Sequence, residues 1–186
     1  YRVTRLDHAS LRIVNTWSGI RAEALVRIDG NDPVETWTLR LRNLTPRMRM
    51  LKLTSYREFA LNAGDAYMRH PDFNNIHIGT WFVPALNAVV ARNRLLKDGA
   101  RDAHKRKISP EVAFHAVGET PGSSILLTGY EDSRQFFIGR GTLRSPEGLE
   151  KISRGLSDDG LLYSFDPAAS LRLHIGFQPG QELELV

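Results

Sequence analysis

The chain has 186 residues, 41% of them hydrophobic and 25% charged, with 15 glycines, 9 prolines and no cysteine. This is an ordinary globular composition at a length sufficient to bury a core. The missing cysteine excludes disulfides and thiolate metal sites, and no apolar run is long enough for a membrane-spanning helix. The formal charge of +4 is local: between residues 92 and 107 seven basic residues accompany two aspartates, and the rest of the chain carries −1.

Period-two alternation, the mark of half-buried strands, dominates the pattern. In Ile20–Asp29 the residues Ile20, Ala22, Ala24, Val26 and Ile28 form one face, and Gly30-Asn31-Asp32-Pro33 supplies a turn. Across Glu35–Asn43, Trp37, Leu39 and Leu41 alternate with threonines and arginines, which places Trp37 in the core. Arg49–Ala60 is rich in β-formers, and with the short Thr45-Pro46-Arg47 connection it reads as the hairpin partner of Glu35–Asn43. Asn62–Asn75, with Gly64, Pro71 and Asn74-Asn75, reads as a long loop of the kind that carries function.

Two strands are expected at Ile76–Phe82 and Ala85–Arg92, broken at Pro84, before the basic stretch. That stretch has no interleaved aromatics to stack on bases, so it reads as a solvated loop and no nucleic-acid partner is expected. Further strands are expected at Val112–Val117, Ser124–Thr128 and Gln135–Ile138. Ser145 as N-cap, Pro146 at the first position and Gly155 as the stop predict a short helix over Pro146–Arg154. Leu171–Phe177, a Gln178-Pro179-Gly180-Gln181 turn, then Leu183 and Leu185 read as a closing hairpin. About ten strands, one short helix and no βαβ alternation predict an all-β, antiparallel sandwich or barrel in a single domain, 1–186.

Little in the chain points to catalysis. The six histidines show no HxH or HxxxH spacing, so no metal or other cofactor is expected. No GxSxG elbow occurs. Carboxylates for glycoside chemistry, among them Glu58, Asp65, Asp72, Glu131, Asp132, Asp158, Asp159 and Asp166, are available by number only. Asp158-Asp159 before Gly160 reads as a turn. Gly139-Arg140-Gly141 is a candidate anion turn, with Arg140 either an anion ligand or an internal carboxylate partner. Of the indoles that could stack on a sugar, Trp17, in the turn-like Asn15-Thr16-Trp17-Ser18-Gly19, is the best placed, and Trp81 beside the long loop comes next.

Several segments together resemble the N-terminal β-sandwich of glycoside hydrolase family 94. They are Asp32-Pro33-Val34-Glu35 leading into Leu39–Leu44, Leu53–Glu58, His70-Pro71-Asp72-Phe73-Asn74-Asn75, Phe136–Gly141, Leu156-Ser157 to Asp166-Pro167, Leu171-Arg172 and Pro179-Gly180-Gln181. Their order and spacing agree over nearly the whole chain, and the likeness is greatest to the copies in cyclic β-1,2-glucan synthases. The resemblance implies a β-supersandwich of the galactose-mutarotase-like type, packed in a larger parent on a catalytic (α/α)6 barrel that holds the catalytic acid and the phosphate site. It implies a noncatalytic module, a fragment of a multidomain glycosyltransferase or glycoside phosphorylase, that shares in homodimer contacts and in the rim of a sugar site. Any ligand contact so inherited would fall on Arg134 or Arg92. Beside this stands an independent carbohydrate-binding module that takes β-glucan or oligosaccharide through Trp17, Trp81 and the loop with His70 and Asp72. A mutarotase-like epimerase, needing histidine and carboxylate in a sheet concavity, is the enzyme alternative. The candidate carbohydrate residues are therefore Trp17, His70, Asp72, Trp81, Arg134 and Arg140. The start, Tyr1-Arg2-Val3, is neither Met nor a signal peptide, so an excised piece is expected. Its location is expected to be cytoplasmic, without direct membrane insertion, in a parent attached to the inner membrane.

Overall fold

A computed structural model describes residues 1–61, 68–94, 112–118, 125–151 and 166–186. The fold is an all-β antiparallel supersandwich with short helical turns, consistent with a galactose-mutarotase-like β-sandwich. The chain divides into two compact units: residues 1–52, 117–126 and 174–186 form the first, 53–116 and 127–173 the second.

The first unit is built on five antiparallel strands, β1 (Arg2–Arg5), β2 (Ser10–Trp17), β3 (Ile20–Ile28), β4 (Glu35–Asn43) and β12 (Glu182–Leu185), in the order β1-β2-β3-β4-β12. Alternation sorts the side chains. Ala24 stands opposite Leu39, and Leu39 opposite Leu185, so the buried Ala24, Val26, Leu41 and Leu185 share one face. The opposite face carries Arg12, Glu23, Arg40 and Glu184. A one-residue slip would expose the first set and bury the second, so burial enforces this register.

Two connections explain themselves locally. Ser18 and Gly19, at φ 49° and 77°, form the two-residue turn between β2 and β3, the left-handed pair that matches strand twist. Asn43 is fully buried and ties the end of β4. Its Nδ2 donates to the carbonyls of Arg47 (2.7 Å) and Gln178 (3.1 Å), and its Oδ1 accepts from the amide (3.0 Å) and hydroxyl (2.7 Å) of Thr45.

In the second unit β7 (Ile78–Val83), β8 (Ala88–Asn93) and β9 (Val112–Ala116) form an antiparallel sheet in that order. The break expected at Pro84 is a 3-10 turn, Pro84–Leu86, that leads into Asn87 at φ 47°. A further sheet has the order β10-β11-β5, from Ile125–Ser133, Pro167–Phe177 and Arg49–Thr54, with the short β6 (Arg57–Glu58) pairing β11. Each of these three long strands carries residues of both units. Nearly all of β11 is buried, the polar Ser170 and Arg172 included.

Aromatic stacking and paired polar groups fill the second unit. Phe82 lies on Tyr130 with ring centroids 4.5 Å apart, and Tyr56 on Phe137 at 4.6 Å. Two buried polar side chains pair as burial favours: Thr80 Oγ1 donates to Asp132 Oδ2 (3.1 Å), and Asn93 Nδ2 to the Leu61 carbonyl (3.0 Å). The guanidinium of Arg172 donates to the carbonyls of Gly148 and Glu150 and holds the 3-10 turn Glu147–Leu149. Burial lowers its pKa.

Several local expectations are corrected. Glu35–Asn43 and Arg49–Thr54 do not pair as a hairpin, because β3 and β12 occupy the two edges of β4 and β5 joins the β10-β11 sheet. The Gln178–Gln181 turn exists, with Gly180 at φ 72° and the Gln181 amide bonded to the Gln178 carbonyl, yet β12 pairs β4 and not β11. Gln135–Ile138 is helical, within α2 (Arg134–Ile138), and Pro71–Asn75 of the expected loop is α1. A segment as short as Gln-Phe-Phe-Ile fits either period, and Gly139 at φ 58° closes the turn as a helix end. Pro146 lies before a 3-10 turn of three residues where a longer helix was expected. Trp37 is 38% exposed, with its indole N–H donating to Glu35 Oε1 at 2.5 Å, so it is not a core residue. The sequence reading also lacked β1 and β2. The basic residues 95–107, Asp65, Asp158, Asp159 and the strand start at Ser124 lie outside the described residues.

Candidate functional site

Helices α1 and α2 of the second unit face an open cleft of about 440 Å³, lined by Asp72, Ile76, Arg134, Gln135, Ile138, Gly139 and Asp166. Its organiser is Arg134, the first residue of α2. The Arg134 amide donates to the Asp166 carbonyl at 2.9 Å. Its Nη1 donates to Asp166 Oδ2 at 2.9 Å and its Nε to Glu58 Oε1 at 3.0 Å. The same Glu58 oxygen accepts from the Tyr56 hydroxyl at 2.7 Å. Two distant chain segments thus converge on one guanidinium.

Charge follows this geometry. The bond to Asp166, helped by the charges of Asp166 and Glu58, raises the Arg134 pKa above its ordinary value. Burial, then the hydrogen bond and charge of Glu58, push the Tyr56 phenol well above its ordinary value, so it stays a neutral donor at any working pH. Arg134 Nη2 makes no hydrogen bond to a described residue. Asp72, Gln135 and the apolar Ile76 and Ile138 line the same cleft. A few polar donors and acceptors between apolar walls suit a polyhydroxylated ligand. Among the described residues no histidine lines the cleft, and none of its groups is arranged as a nucleophile with its base.

Of the six sequence candidates, the structure brings Asp72 and Arg134 together in this cleft. His70 lies just before α1, exposed, its ring edge-on to Phe73 at 6.1 Å. Trp81 is half-buried on β7 opposite Val90. Arg140 is exposed and ion-paired with Glu147 at 3.3 Å in the Gly139–Gly141 turn. Trp17 belongs to the other unit, 78% exposed at the tip of the β2–β3 hairpin. Arg92 stands opposite Gly79 on β8. Tyr56 and Gln135 escaped the sequence reading, and Glu58 and Asp166 were candidates by number alone. No local pattern links residues 58, 134 and 166; only the fold does.

Residues 2–186 match the family model described as glycosyl hydrolase 94, supersandwich domain. The chain is 29% identical over 173 residues to solabiose phosphorylase of Paenibacillus borealis, covering 92% of this chain and 20% of that protein. It is 26% identical over 166 residues to cellobionic acid phosphorylase of Neurospora crassa, covering 89% of this chain and 18% of the relative. The chain therefore spans about a fifth of the length of these curated relatives.

Proposed function

Because the chain belongs to the glycosyl hydrolase 94 supersandwich family, we propose that it is a carbohydrate-recognising β-sandwich module of a glycoside phosphorylase, and that the Arg134 cleft takes the saccharide. The observation that carries this reading is that one cleft is lined by a guanidinium braced by two carboxylates, by the polar Asp72 and Gln135, and by two isoleucines. Such a set can donate to and accept from the vicinal hydroxyls of a sugar while the isoleucines cover an apolar ring face. His70, Trp81 and Arg140, which belong to the same unit as the cleft, are secondary contacts in this proposal. Among the parents that the resemblance suggested, the names of the two relatives support a phosphorylase over a cyclic glucan synthase.

Calorimetry with cellobiose and with β-1,2-linked glucose oligosaccharides tests it. The expected result is saturable heat at millimolar ligand that Gln135→Ala and Asp72→Asn weaken; an absence of heat with every β-linked saccharide overturns it. A scaffold role, with the module packed on a catalytic barrel and sharing a dimer contact, is the second reading, favoured by the fifth of its relatives' length that the chain spans. Here saccharide is silent, but the module supplied in trans restores activity to a parent that lacks it. A mutarotase-like activity predicts faster anomer exchange by polarimetry. Among the described residues no helix is long and apolar enough to cross a membrane; cytoplasmic residence with attachment of the parent to the inner membrane is a proposal that cell fractionation checks.

A further inference from the structure

The five-stranded sheet of the first unit presents a face whose arginines are unequally satisfied. Ala22 and Ala24 of β3 stand opposite Leu41 and Leu39 of β4 and fix the register through burial. On the other face that same register sets Arg21 directly opposite Arg42. Like charges so placed oppose pairing. The neighbouring arginines have acidic partners: Arg40 Nε lies 2.5 Å from Glu184 Oε2, and Arg12 Nη1 3.8 Å from Glu23 Oε1. Glu23 also reaches Arg21 at 3.4 Å. Arg42 makes no ion pair with a described residue, although Glu182 stands opposite it on β12. Arg21, Arg40, Arg42, Glu23, Glu182 and Leu41 line a shallow cleft of about 290 Å³. With Arg2 and Arg27 on the same face, arginine outnumbers glutamate there, and no lysine is present.

We propose that the Arg21–Arg42 pair is a binding site for a phosphoryl group, borne by inorganic phosphate or by a sugar phosphate. A carboxylate has two oxygens, which a single guanidinium fork satisfies. A phosphoryl group offers three terminal oxygens and up to two charges, enough to accept from two forks on adjacent strands and to relieve their mutual repulsion. The exclusive use of arginine fits this chemistry, since lysine acts as a point charge without the fork. Glu182 sets the strength of the site, because its charge opposes the anion. This inference rests on the first unit alone and is independent of the saccharide reading of the Arg134 cleft.

The test is an NMR titration of the arginine Nε–H resonances with sodium phosphate and with glucose 1-phosphate, at ionic strength held constant by sodium chloride. Saturable shifts are expected for Arg21 and Arg42. Arg42→Gln and Arg21→Gln each weaken binding by about tenfold or abolish it, Glu182→Gln tightens it, and Arg27→Gln leaves it unchanged. Equal affinity for the two probes identifies the phosphoryl group alone as what is read; tighter glucose 1-phosphate identifies a sugar phosphate. Shifts that never saturate, or an Arg42→Gln variant that binds as the wild type does, overturn the proposal. All four side chains are exposed, so the variants fold, and circular dichroism verifies this.

Discussion

Replacing Asn43 by leucine, a side chain of similar size, removes four hydrogen bonds from a site with no solvent access. A net contribution near 1 kcal/mol for each bond gives an upper figure of about 4 kcal/mol. Two of the abandoned groups keep a partner: the Arg47 carbonyl still accepts from Thr45 Oγ1 at 3.1 Å, and the Gln178 carbonyl from the Gln181 amide at 3.1 Å. The Thr45 amide loses its acceptor, so the expected loss is about 3 kcal/mol, most of it from that orphaned donor and the lost pair of Nδ2 bonds. Urea unfolding followed by the fluorescence of Trp17 and Trp37, both in the same unit as Asn43, measures it. Thr45→Val alone is expected to cost about 1 kcal/mol, and the double variant less than the sum, because the two share bonds. A loss below about 1 kcal/mol in Asn43→Leu, or strict additivity with Thr45→Val, would refute the view that Asn43 ties the end of β4 to the Gln178–Gln181 turn.

Four further outcomes follow from the same structure. His115 Nε2 lies 2.7 Å from Ser55 Oγ, and burial, with a smaller effect of Arg57, depresses the imidazole pKa from 6.5 to about 4. Between these values the unfolded chain binds a proton that the folded chain refuses, so stability is full above pH 6.5 and falls as pH drops toward 4, by up to about 3 kcal/mol; chemical denaturation across that range measures it, and His115→Gln flattens the slope. A Cβ on Gly148 would sit 2.5 Å from a Phe137 ring carbon and 2.7 Å from its carbonyl oxygen, so Gly148→Ala lowers Tm by several degrees at a cost of about 2 kcal/mol or more, whereas Gly30→Ala, with open space around it, does not. Phe82→Ala removes one ring of the stacked pair with Tyr130 and costs about 3–5 kcal/mol in a denaturant titration. Glu184→Gln breaks an exposed ion pair with Arg40 and leaves the unfolding midpoint where it was, since solvent screens such pairs.

Legibility differs along the chain for identifiable reasons. Strands β3 and β4 were readable because one face is buried and the other wet, which writes a period of two into the sequence. Strands β1 and β2 lie toward one edge of that sheet, where Arg2, Arg5 and Arg12 are exposed and the contrast between faces is weaker. Pairing was misread where the chain leaves one sheet for another at a short turn, after β4 and again after β11. A turn sequence records that the chain reverses; which edge receives the next strand is settled by the open hydrogen-bonding edges of distant strands.

The candidate site divides in the same way. Asp72 and Arg134 were singled out by their motifs, but their shared cleft, and the bracing of Arg134 by Glu58 and Asp166 across 76 and 32 positions of sequence, belong to no local pattern. Composition, alternation and motif order determined the fold class, the absence of thiol chemistry and the family. Tertiary structure alone decided which carboxylates hold Arg134, that Trp37 is exposed, and that Arg21 faces Arg42. The physical reason is that periodicity encodes which face of a strand is wet, a local property, whereas an ion pair or a cleft depends on register and on long-range pairing, which alternation by itself leaves open.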